Sequence, residues 1–267
     1  IFGDADNDRL TIDFNGANGS LYSEFTIQGG YPADGGDEVS SDNVTTFSGE
    51  NRYGILNVFD RARVHINDVT FTKALGTSIT TEETDIHAVN LGAALYMKQA
   101  TTNKDKDKAA PRVWLTDCVF KNNVTNPSSG ANTYIGGSAI NLVHGAVYAD
   151  HCIFLNNTDN KYNGCVKLSG KNNFASHQAY AFFNACLFKG NDLKAPTVNG
   201  GVVAHHRKGA LLGMFNCTFY ENLTTGGNCI HLDKSAIIAN CTIVNNCYSQ
   251  YPLRFREKKK KNDNQYI

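Results

Sequence analysis

The hexapeptide CTFYEN, residues 217–222, is one of five near-copies of a single pattern in this chain. The other copies are CVFKNN at 118–123, CIFLNN at 152–157, CLFKGN at 186–191 and CTIVNN at 241–246. Their third positions lie at residues 120, 154, 188, 219 and 243, so successive copies are 34, 34, 31 and 24 residues apart. A short motif that recurs at such intervals indicates a solenoid in which each repeat forms one coil.

A second motif alternates with the first and consists of a small residue followed by alternating apolar residues. Its copies are GILNV (54–58), GAALYM (92–97), GSAINL (137–142), GCVKL (164–168), GVVAH (201–205) and NCIHL (228–232). A third short strand, such as VHI, VWL, VYA or AFF, precedes each Cys block. Three short strands with period-2 alternation in each repeat predict an all-β fold. We expect one right-handed parallel β-helix of about six to seven coils.

The β-helix explains why the hexapeptide is repeated. Equivalent residues of successive coils stack about 4.8 Å apart, so each column must hold residues that pack on themselves. The motif predicts a cysteine column, a phenylalanine column and an asparagine ladder. The asparagines are Asn123, Asn157, Asn191, Asn222 and Asn246. The cysteines are expected to be buried free thiols, because in-register neighbours are poorly placed for a disulfide and no Cys-x-x-Cys zinc spacing occurs.

The bulk composition excludes some classes of function. Lys plus Arg and Asp plus Glu both number 25, so the formal net charge is zero. This balance disfavours a nucleic-acid partner or a membrane-surface role driven by charge. No apolar run reaches the length of about 18 residues that a membrane-spanning helix needs. We expect neither a cofactor nor a metal site.

The repeats also suggest the domain organisation. Residues 1–250 are predicted to form the β-helix, with an N-terminal lead-in segment at 1–50 and the repeats at 51–250. Residues 251–267 contain four consecutive lysines and are predicted to be a basic polar C-terminal segment that is truncated. We expect the chain to be part of a longer exported protein or of a surface assembly.

Two sets of motif copies resemble the repeats of the chlamydial polymorphic outer membrane proteins. These copies are GAAL and GSAI in the second motif and FKNN, FLNN, FKGN and FYEN in the first. Similar repeats occur in many predicted surface proteins of Bacteroidetes. The stretch IQGGYPADGGDEV, starting at residue 27, also looks like the opening of such β-helix proteins. The resemblance implies a bacterial protein that is secreted or attached to the cell surface at the outer membrane, adhesive in the chlamydial case.

The second motif predicts which side chains leave the core. Alternation places Leu56, Leu95, Ile140, Val166, Val203 and Ile230 inward, and His205 is also expected to point inward. The outward positions form a polar stripe along the coils. Its members, which are the candidate ligand-binding residues, are Tyr96, Asn141, Lys167, His206, Arg207, His231 and Asp233. An aromatic ring and planar polar groups at regular intervals suit an extended glycan, although the stripe could also be a solvated face without a ligand.

Three functions remain open at this point. The pattern favours a non-catalytic binding scaffold for a polysaccharide or for a host or cell-surface protein. The second possibility is a polysaccharide lyase, with Lys167 as the base and Arg207 neutralising a uronate carboxylate, or with His206 or His231 as the base. A calcium-dependent lyase would want several carboxylates, and the stripe has only Asp233. The third possibility is a structural spacer in a larger surface assembly.

Overall fold

The computed structural model describes residues 10–12, 23–76, 94–98, 110–126, 136–160, 164–168, 179–194, 201–206, 210–225, 228–232, 236–246 and 253–255. These residues contain 27 β-strands, and none of them lies in a helix. The strands form four sheets, which we call sheets I to IV in the order in which each coil passes through them.

Sheets I and II are the two seven-stranded sheets. Sheet I contains β2 (Ser23–Gln28), β5 (Ala62–Asn67), β9 (Arg112–Thr116), β13 (Gly145–Asp150), β17 (Ala179–Asn184), β21 (Ala210–Phe215) and β25 (Ala236–Ala239). Sheet II contains β3 (Thr45–Ser48), β6 (Val69–Thr72), β10 (Val119–Lys121), β14 (Ile153–Leu155), β18 (Leu187–Lys189), β22 (Thr218–Tyr220) and β26 (Thr242–Val244).

Sheet III is short and sheet IV is the longest of the four. Sheet III contains β7 (Leu75–Gly76), β11 (Val124–Thr125), β15 (Thr158–Asp159), β19 (Asp192–Leu193) and β23 (Leu223–Thr224). Sheet IV contains β1 (Leu10–Ile12), β4 (Leu56–Phe59), β8 (Leu95–Lys98), β12 (Ile140–Leu142), β16 (Val166–Leu168), β20 (Gly201–His206), β24 (Asn228–Leu232) and β27 (Leu253–Phe255).

The strand pairing confirms the predicted parallel β-helix. Neighbouring strands within each sheet are parallel, and each strand pairs with its equivalent one coil earlier or later. Two details differ from the sequence prediction. Each typical coil has a fourth strand, the two-residue strand of sheet III, which is too short to show alternation. In addition, β27 lies within the predicted polar tail and extends sheet IV to Phe255.

The hexapeptide columns form as predicted. The rings of Phe71, Phe120, Phe154, Phe188 and Phe219 are fully buried and stack with centroids 4.6–5.2 Å apart. Phe47 of the lead-in segment continues this column with an edge-on contact to Phe71. The described cysteines are all free thiols, and those of the hexapeptide donate from Sγ to backbone carbonyl oxygens, as Cys186 does to the carbonyl of Asn184.

The asparagine ladder satisfies buried polar groups in the corner between sheets II and III. The Nδ2 atoms of Asn123, Asn157 and Asn191 donate to the Oδ1 of the asparagine one coil further on, at 2.9–3.0 Å. Each of these Nδ2 atoms also donates to the backbone carbonyl of a phenylalanine one coil earlier. Because buried amides without partners are costly, this network explains why asparagine recurs at the sixth position.

The residue type at the fifth position of the hexapeptide is explained by its backbone conformation. Asn122, Asn156, Gly190, Glu221 and Asn245 all have φ between 54° and 63°. This left-handed conformation is accessible to glycine and tolerated best after it by asparagine. The corner before the hexapeptide has a second left-handed residue, which is Asp68, Asp117, His151, Ala185, Asn216 or Asn240 in successive coils. At the coil of Asn184, the residue that adopts this conformation is Ala185, which directly follows the asparagine.

Candidate functional site

The predicted polar stripe lies in part on the outer side of sheet IV. The register places Tyr96 beside Asn141, and Asn141 beside Lys167. His205 follows Lys167 in the register, and His231 follows His205. The structure therefore brings Tyr96, Asn141, Lys167 and His231 into one column, whereas Arg207 and Asp233 lie outside the described residues.

A β-bulge changes the predicted positions of two histidines. The register of β20 shifts against β24 between Gly201 and Ala204, so β20 has one residue more than its partner. The register pairs His205 with His231 and His206 with Leu232, one residue out of step with the alternation predicted from the sequence.

The same shift affects the register of the residues next to Val203. The residue of β20 that pairs with the inward residues Val166 and Ile230 is Ala204. The sequence had placed Val203, not Ala204, in the position equivalent to Val166 and Ile230. A single inserted residue inverts every side chain after it, because the side-chain period of a strand is two.

The polar column of sheet IV is covered, contrary to the expected open stripe. Asn141, Lys167 and His231 have no exposed surface, and Tyr96 is 2% exposed. Lys98, two residues after Tyr96, is also buried. A polysaccharide cannot reach side chains that are buried in this way. This arrangement gives no support to Lys167 or His231 as the base of a lyase, and it does not offer the column as an open binding face.

The outer side of sheet I carries an aromatic column that the sequence interpretation did not identify as a site. Its members are His65 on β5, Trp114 on β9, Tyr148 on β13 and Phe182 on β17, and the register pairs each with the next. Their ring centroids are 4.5, 5.6 and 5.7 Å apart, and the planes are within 14° of parallel. All four side chains are partly exposed. We call these four residues the aromatic column.

The spacing of the rings leaves part of each one uncovered. Parallel rings in contact are about 3.5–4.0 Å apart along their normal. Centroid distances of 5.6 Å for Trp114–Tyr148 and 5.7 Å for Tyr148–Phe182 therefore mean that these rings are offset sideways. Offset stacking is the favoured arrangement of aromatic pairs, and here it leaves ring surface and ring edges on the outside of the coil.

The two ends of the aromatic column are held by different contacts. At one end, His65 Nε2 donates to Glu24 Oε1 at 2.8 Å, which fixes the plane of the imidazole. At the other end, Phe182 lies against Gly213 of the next coil. A Cβ atom on Gly213 would lie 2.6 Å from Phe182 Cδ1 and 2.9 Å from Phe215 Cε2, so only glycine leaves room for both rings.

Polar side chains flank the aromatic column on both sides. Two residues before it in each strand, Arg63 and Arg112 are register partners on neighbouring coils, and Arg112 is exposed. Two residues after it, Asn184 Nδ2 donates to Asp150 Oδ1 at 2.7 Å. The guanidinium groups therefore lie on one side of the aromatic column and the Asp150–Asn184 pair on the other. Both rows run parallel to the helix axis, as the column does.

Three hydrogen-bond donors of this face have no partner among the residues that the structure describes. Within the described part of the chain, the indole N–H of Trp114, the hydroxyl of Tyr148 and the guanidinium of Arg112 make no hydrogen bond or ion pair. Donors of this kind on a partly exposed surface are free to bind a ligand. They make the face of sheet I a better candidate site than the covered column of sheet IV.

The sequence did contain a signal for this site. The strands VHI, VWL, VYA and AFF carry His65, Trp114, Tyr148 and Phe182 at their central position. Alternation around the buried residues Val64 and Val113 would have placed these rings outward. The outward residues were predicted for sheet IV alone, so this row was not found.

Other types of site are not evident in the described coils. Among those residues, no group of three or more His, Cys, Asp or Glu side chains could hold a metal ion. The same residues include no helix that is long and apolar enough to cross a membrane.

Comparisons with known proteins give a structural neighbour but no family. No protein-family model matches the chain, and no curated protein matches it either. Among solved structures, the chain is similar to a doubly substituted variant of a pectate lyase from Xanthomonas campestris, with 14% sequence identity and a TM-score of 0.34. That match covers 94% of this chain and 73% of the pectate lyase chain. The fold assignment rests on the strand pairing described above.

Proposed function

We propose that the chain is a non-catalytic binding scaffold, exported or displayed at a bacterial cell surface, whose ligand is a polysaccharide. The observation that carries this proposal is the aromatic column on sheet I. It combines four nearly parallel, partly exposed rings with donors that have no protein partner among the described residues. The binding surface is the outer face of sheet I, in place of the column on sheet IV.

The arrangement suits a polymer because the fold repeats it. Each of the four strands β5, β9, β13 and β17 adds one ring at the strand spacing of about 4.8 Å. A glycan that lies along the helix axis therefore meets one ring after another. Aromatic side chains supply a large rigid contact area at low conformational-entropy cost, and they are enriched where binding energy is concentrated. Their apolar ring atoms can pack on sugar C–H groups, while Trp114 and Tyr148 donate to sugar oxygens.

The surface location is supported by the motifs of the sequence. The repeats resemble those of the chlamydial polymorphic outer membrane proteins, which implies an exported, outer-membrane-associated chain that belongs to a longer protein or a surface assembly. An adhesin-like role toward a host or cell-surface glycoprotein fits the same face, since its ligand would again be the glycan. A lyase and a plain spacer are the two alternatives that an experiment must separate from this proposal.

The test is retention of the chain by polysaccharides immobilised in a native gel, using neutral and acidic polymers. Trp114→Ala should weaken retention about tenfold or more, because it removes one of the two inner rings of the column. Tyr220→Ala is the matched control, since Tyr220 is a partly exposed aromatic on the outer side of sheet II. Far-UV circular dichroism and thermal melting show whether both variants keep the fold.

Each outcome separates the alternatives. Loss of retention in Trp114→Ala but not in Tyr220→Ala supports binding at sheet I. Equal loss in both variants, or none in either, would overturn the location of the site. New reducing ends after incubation with any polymer would show an enzyme and overturn the non-catalytic proposal. No retention of any polymer by the folded wild-type chain would leave only the spacer role.

A further inference from the structure

We infer that the ligand of the sheet I face is a neutral, extended polysaccharide of β-1,4-linked sugars with equatorial substituents, bound along the aromatic column at one sugar per ring. This inference rests on the proposed function, because it names the class of polysaccharide that this same face would bind. Its basis is the charge balance of the face together with the spacing, straightness and length of the column.

The sheet I face has no net charge that would attract a charged polymer. On its described strands, the carboxylates Glu24 and Asp150 balance the arginines Arg63 and Arg112. Arg63 is the direct cross-strand partner of Glu24, and opposite charges in such positions stabilise neighbouring strands. A neutral ligand therefore matches the face, whereas a polyanion or a polycation gains no net attraction from it.

The spacing of the rings matches the repeat of a sugar chain. Successive ring centroids from His65 to Phe182 are 4.5, 5.6 and 5.7 Å apart. A pyranose that is linked through O1 and O4 advances its chain by about 5 Å, because a chair built from bonds of about 1.5 Å places these oxygens at opposite ends. One sugar therefore spans one interval of the aromatic column, and successive sugars stay in step with successive rings.

The aromatic column follows the helix axis, which selects the linkage of the sugars. His65, Trp114, Tyr148 and Phe182 are register partners on four neighbouring strands of one sheet. Equatorial bonds at C1 and C4 point in opposite directions, so a chain of such sugars extends as a ribbon. An axial bond at C1, as in an α-1,4-glucan, turns each sugar and carries the chain away from the column.

The orientation of the sugars adds a second requirement. Successive sugars of a β-1,4-linked ribbon are turned over, so the aromatic column meets the two faces of the sugar ring alternately. When all substituents are equatorial, both faces present C–H groups that can pack on aromatic rings. Glucose and N-acetylglucosamine polymers fulfil this condition.

The polar groups beside the rings suit sugar hydroxyls. Arg112, Trp114 and Tyr148 present N–H and O–H donors that have no partner among the described residues. Asp150, whose side chain is partly exposed, adds an acceptor on the other side of the column. A hydroxyl group both donates and accepts, so a neutral sugar can bind either kind of group without a counter-charge.

The length of the aromatic column sets the number of sugars that it binds. Thr26 precedes His65 in the register and carries no ring, so the column ends there. Gly213 follows Phe182 in the register, and the ring of Phe215 leans over this glycine. Four sugars therefore cover the column, and a fifth reaches the ring of Phe215.

The experiment compares glucose oligomers that differ only in linkage. Cello-oligosaccharides of two to six units are titrated into the intact chain, with malto-oligosaccharides of the same lengths as the matched control. The emission of Trp114, the single tryptophan of the chain, reports binding. The affinity for the β-1,4-linked series should rise about threefold or more with each added sugar up to four or five units and then level off. Cellohexaose should bind about tenfold or more tightly than maltohexaose.

Two polymers with the same backbone test the charge. Hydroxyethyl cellulose is neutral and carboxymethyl cellulose is anionic, and the neutral polymer should bind at least as tightly in a low-salt buffer. Raising the salt concentration to about 0.5 M should change its affinity less than about twofold, because no net charge interaction is there to be screened. Glycol chitin, a neutral polymer with equatorial acetamido groups, should also bind.

Tyr148→Ala tests the aromatic column, and Tyr220→Ala is its matched control because Tyr220 is a partly exposed tyrosine on sheet II. Tyr148→Ala removes an inner ring and should weaken the binding of cellohexaose about tenfold. It should weaken the binding of cellobiose less than about threefold, because a dimer can still bind at His65 and Trp114. Tyr220→Ala should leave both affinities unchanged, and thermal melting shows whether both variants keep the fold.

Contrary results have separate meanings. If the malto-oligosaccharides bind as tightly as the cello-oligosaccharides, or if carboxymethyl cellulose binds more tightly than hydroxyethyl cellulose, the inference fails while the proposed function stands. An affinity that does not rise beyond two sugars would also overturn the inference. If no polysaccharide of either charge binds, both fail. Equal weakening by Tyr148→Ala and Tyr220→Ala would show that the ligand does not follow the aromatic column.

Discussion

Strand alternation places side chains on the outer faces of both sheet I and sheet IV, but the two sets of side chains lie in different environments. Both columns leave the core by strand alternation, and both contain aromatic and polar side chains. On sheet IV, Lys167 and His231 have no exposed surface. On sheet I, the rings from His65 to Phe182 remain partly exposed. Alternation tells on which side of a sheet a side chain lies, but not whether other parts of the protein cover that side.

The largest expected effect concerns Cys229 on β24 of sheet IV and Cys165, which directly precedes β16. Burial raises the pKa of Cys229 to about 12, and it also raises the pKa of Cys165. Because the thiolate is the reactive form, alkylation of both residues by iodoacetamide at pH 8 should be at least about 100-fold slower in the native chain than in urea. Peptide mapping by mass spectrometry measures the two rates.

The contrast with sheet I can be measured on the same sample. Trp114 is the single tryptophan of the chain and should be quenched readily by acrylamide under native conditions. Rapid native labelling of Cys165 or Cys229 would show that sheet IV opens, and it would remove the basis of the comparison.

Lys167→Ala tests whether the covered column supports the fold and not the ligand. The change removes a fully buried long side chain and should lower the free energy of unfolding by about 3 kcal/mol. Polysaccharide binding by the folded fraction should change less than twofold. Urea unfolding measures the first quantity, and Lys121→Ala, with a partly exposed side chain, should cost about 0.5 kcal/mol or less. If the folded Lys167→Ala variant lost polysaccharide binding, the ligand-binding site would lie on sheet IV and not on sheet I.

Gly213→Ala tests how closely the end of the aromatic column is packed. The added Cβ would overlap Phe182 and Phe215, so the free energy of unfolding should fall by about 1–2 kcal/mol. A double-mutant cycle with Phe182→Ala provides the control. In the Phe182→Ala background, Gly213→Ala should lower the free energy of unfolding much less. If the loss were unchanged there, overlap with Phe182 would not be the cause of the destabilisation.

Glu24→Gln is expected to have the smallest effect. The His65–Glu24 pair has side chains 34% and 56% exposed, so its contribution to the free energy of unfolding should be about 0.5 kcal/mol or less. Urea unfolding at low and high salt measures it. A loss above about 1 kcal/mol would mean that the orientation of the imidazole matters to the fold as a whole.

The sequence predicted the features that repeat in register. The phenylalanine column and the ladder from Asn123 to Asn246 could be derived because identical residues must stack on themselves at each coil. The sheet III strands were missed, because two residues cannot display a period of two. The register shift in β20 was missed for another reason, since the bulge adds one residue without a local sequence signal.

The candidate site was harder to predict than the fold for a physical reason. Lys167 is fully buried although it lies on the outer side of sheet IV, and strand periodicity gives the side of the sheet but not the burial. The column from His65 to Phe182 was within reach of the sequence, since the four rings occupy one outward position in consecutive coils. What could not be derived was its partial exposure and the pairing of Glu24 with His65.

The central claim, that sheet I is the ligand-binding face, can be tested through the fluorescence of Trp114. The intact chain is titrated with hydroxyethyl cellulose and with glycol chitin, while the emission of Trp114 and its quenching by acrylamide are recorded. Binding at the aromatic column should change the emission saturably and reduce the acrylamide quenching, because the polymer covers the indole. Retention of either polymer with no change in the emission or quenching of Trp114 would contradict the account.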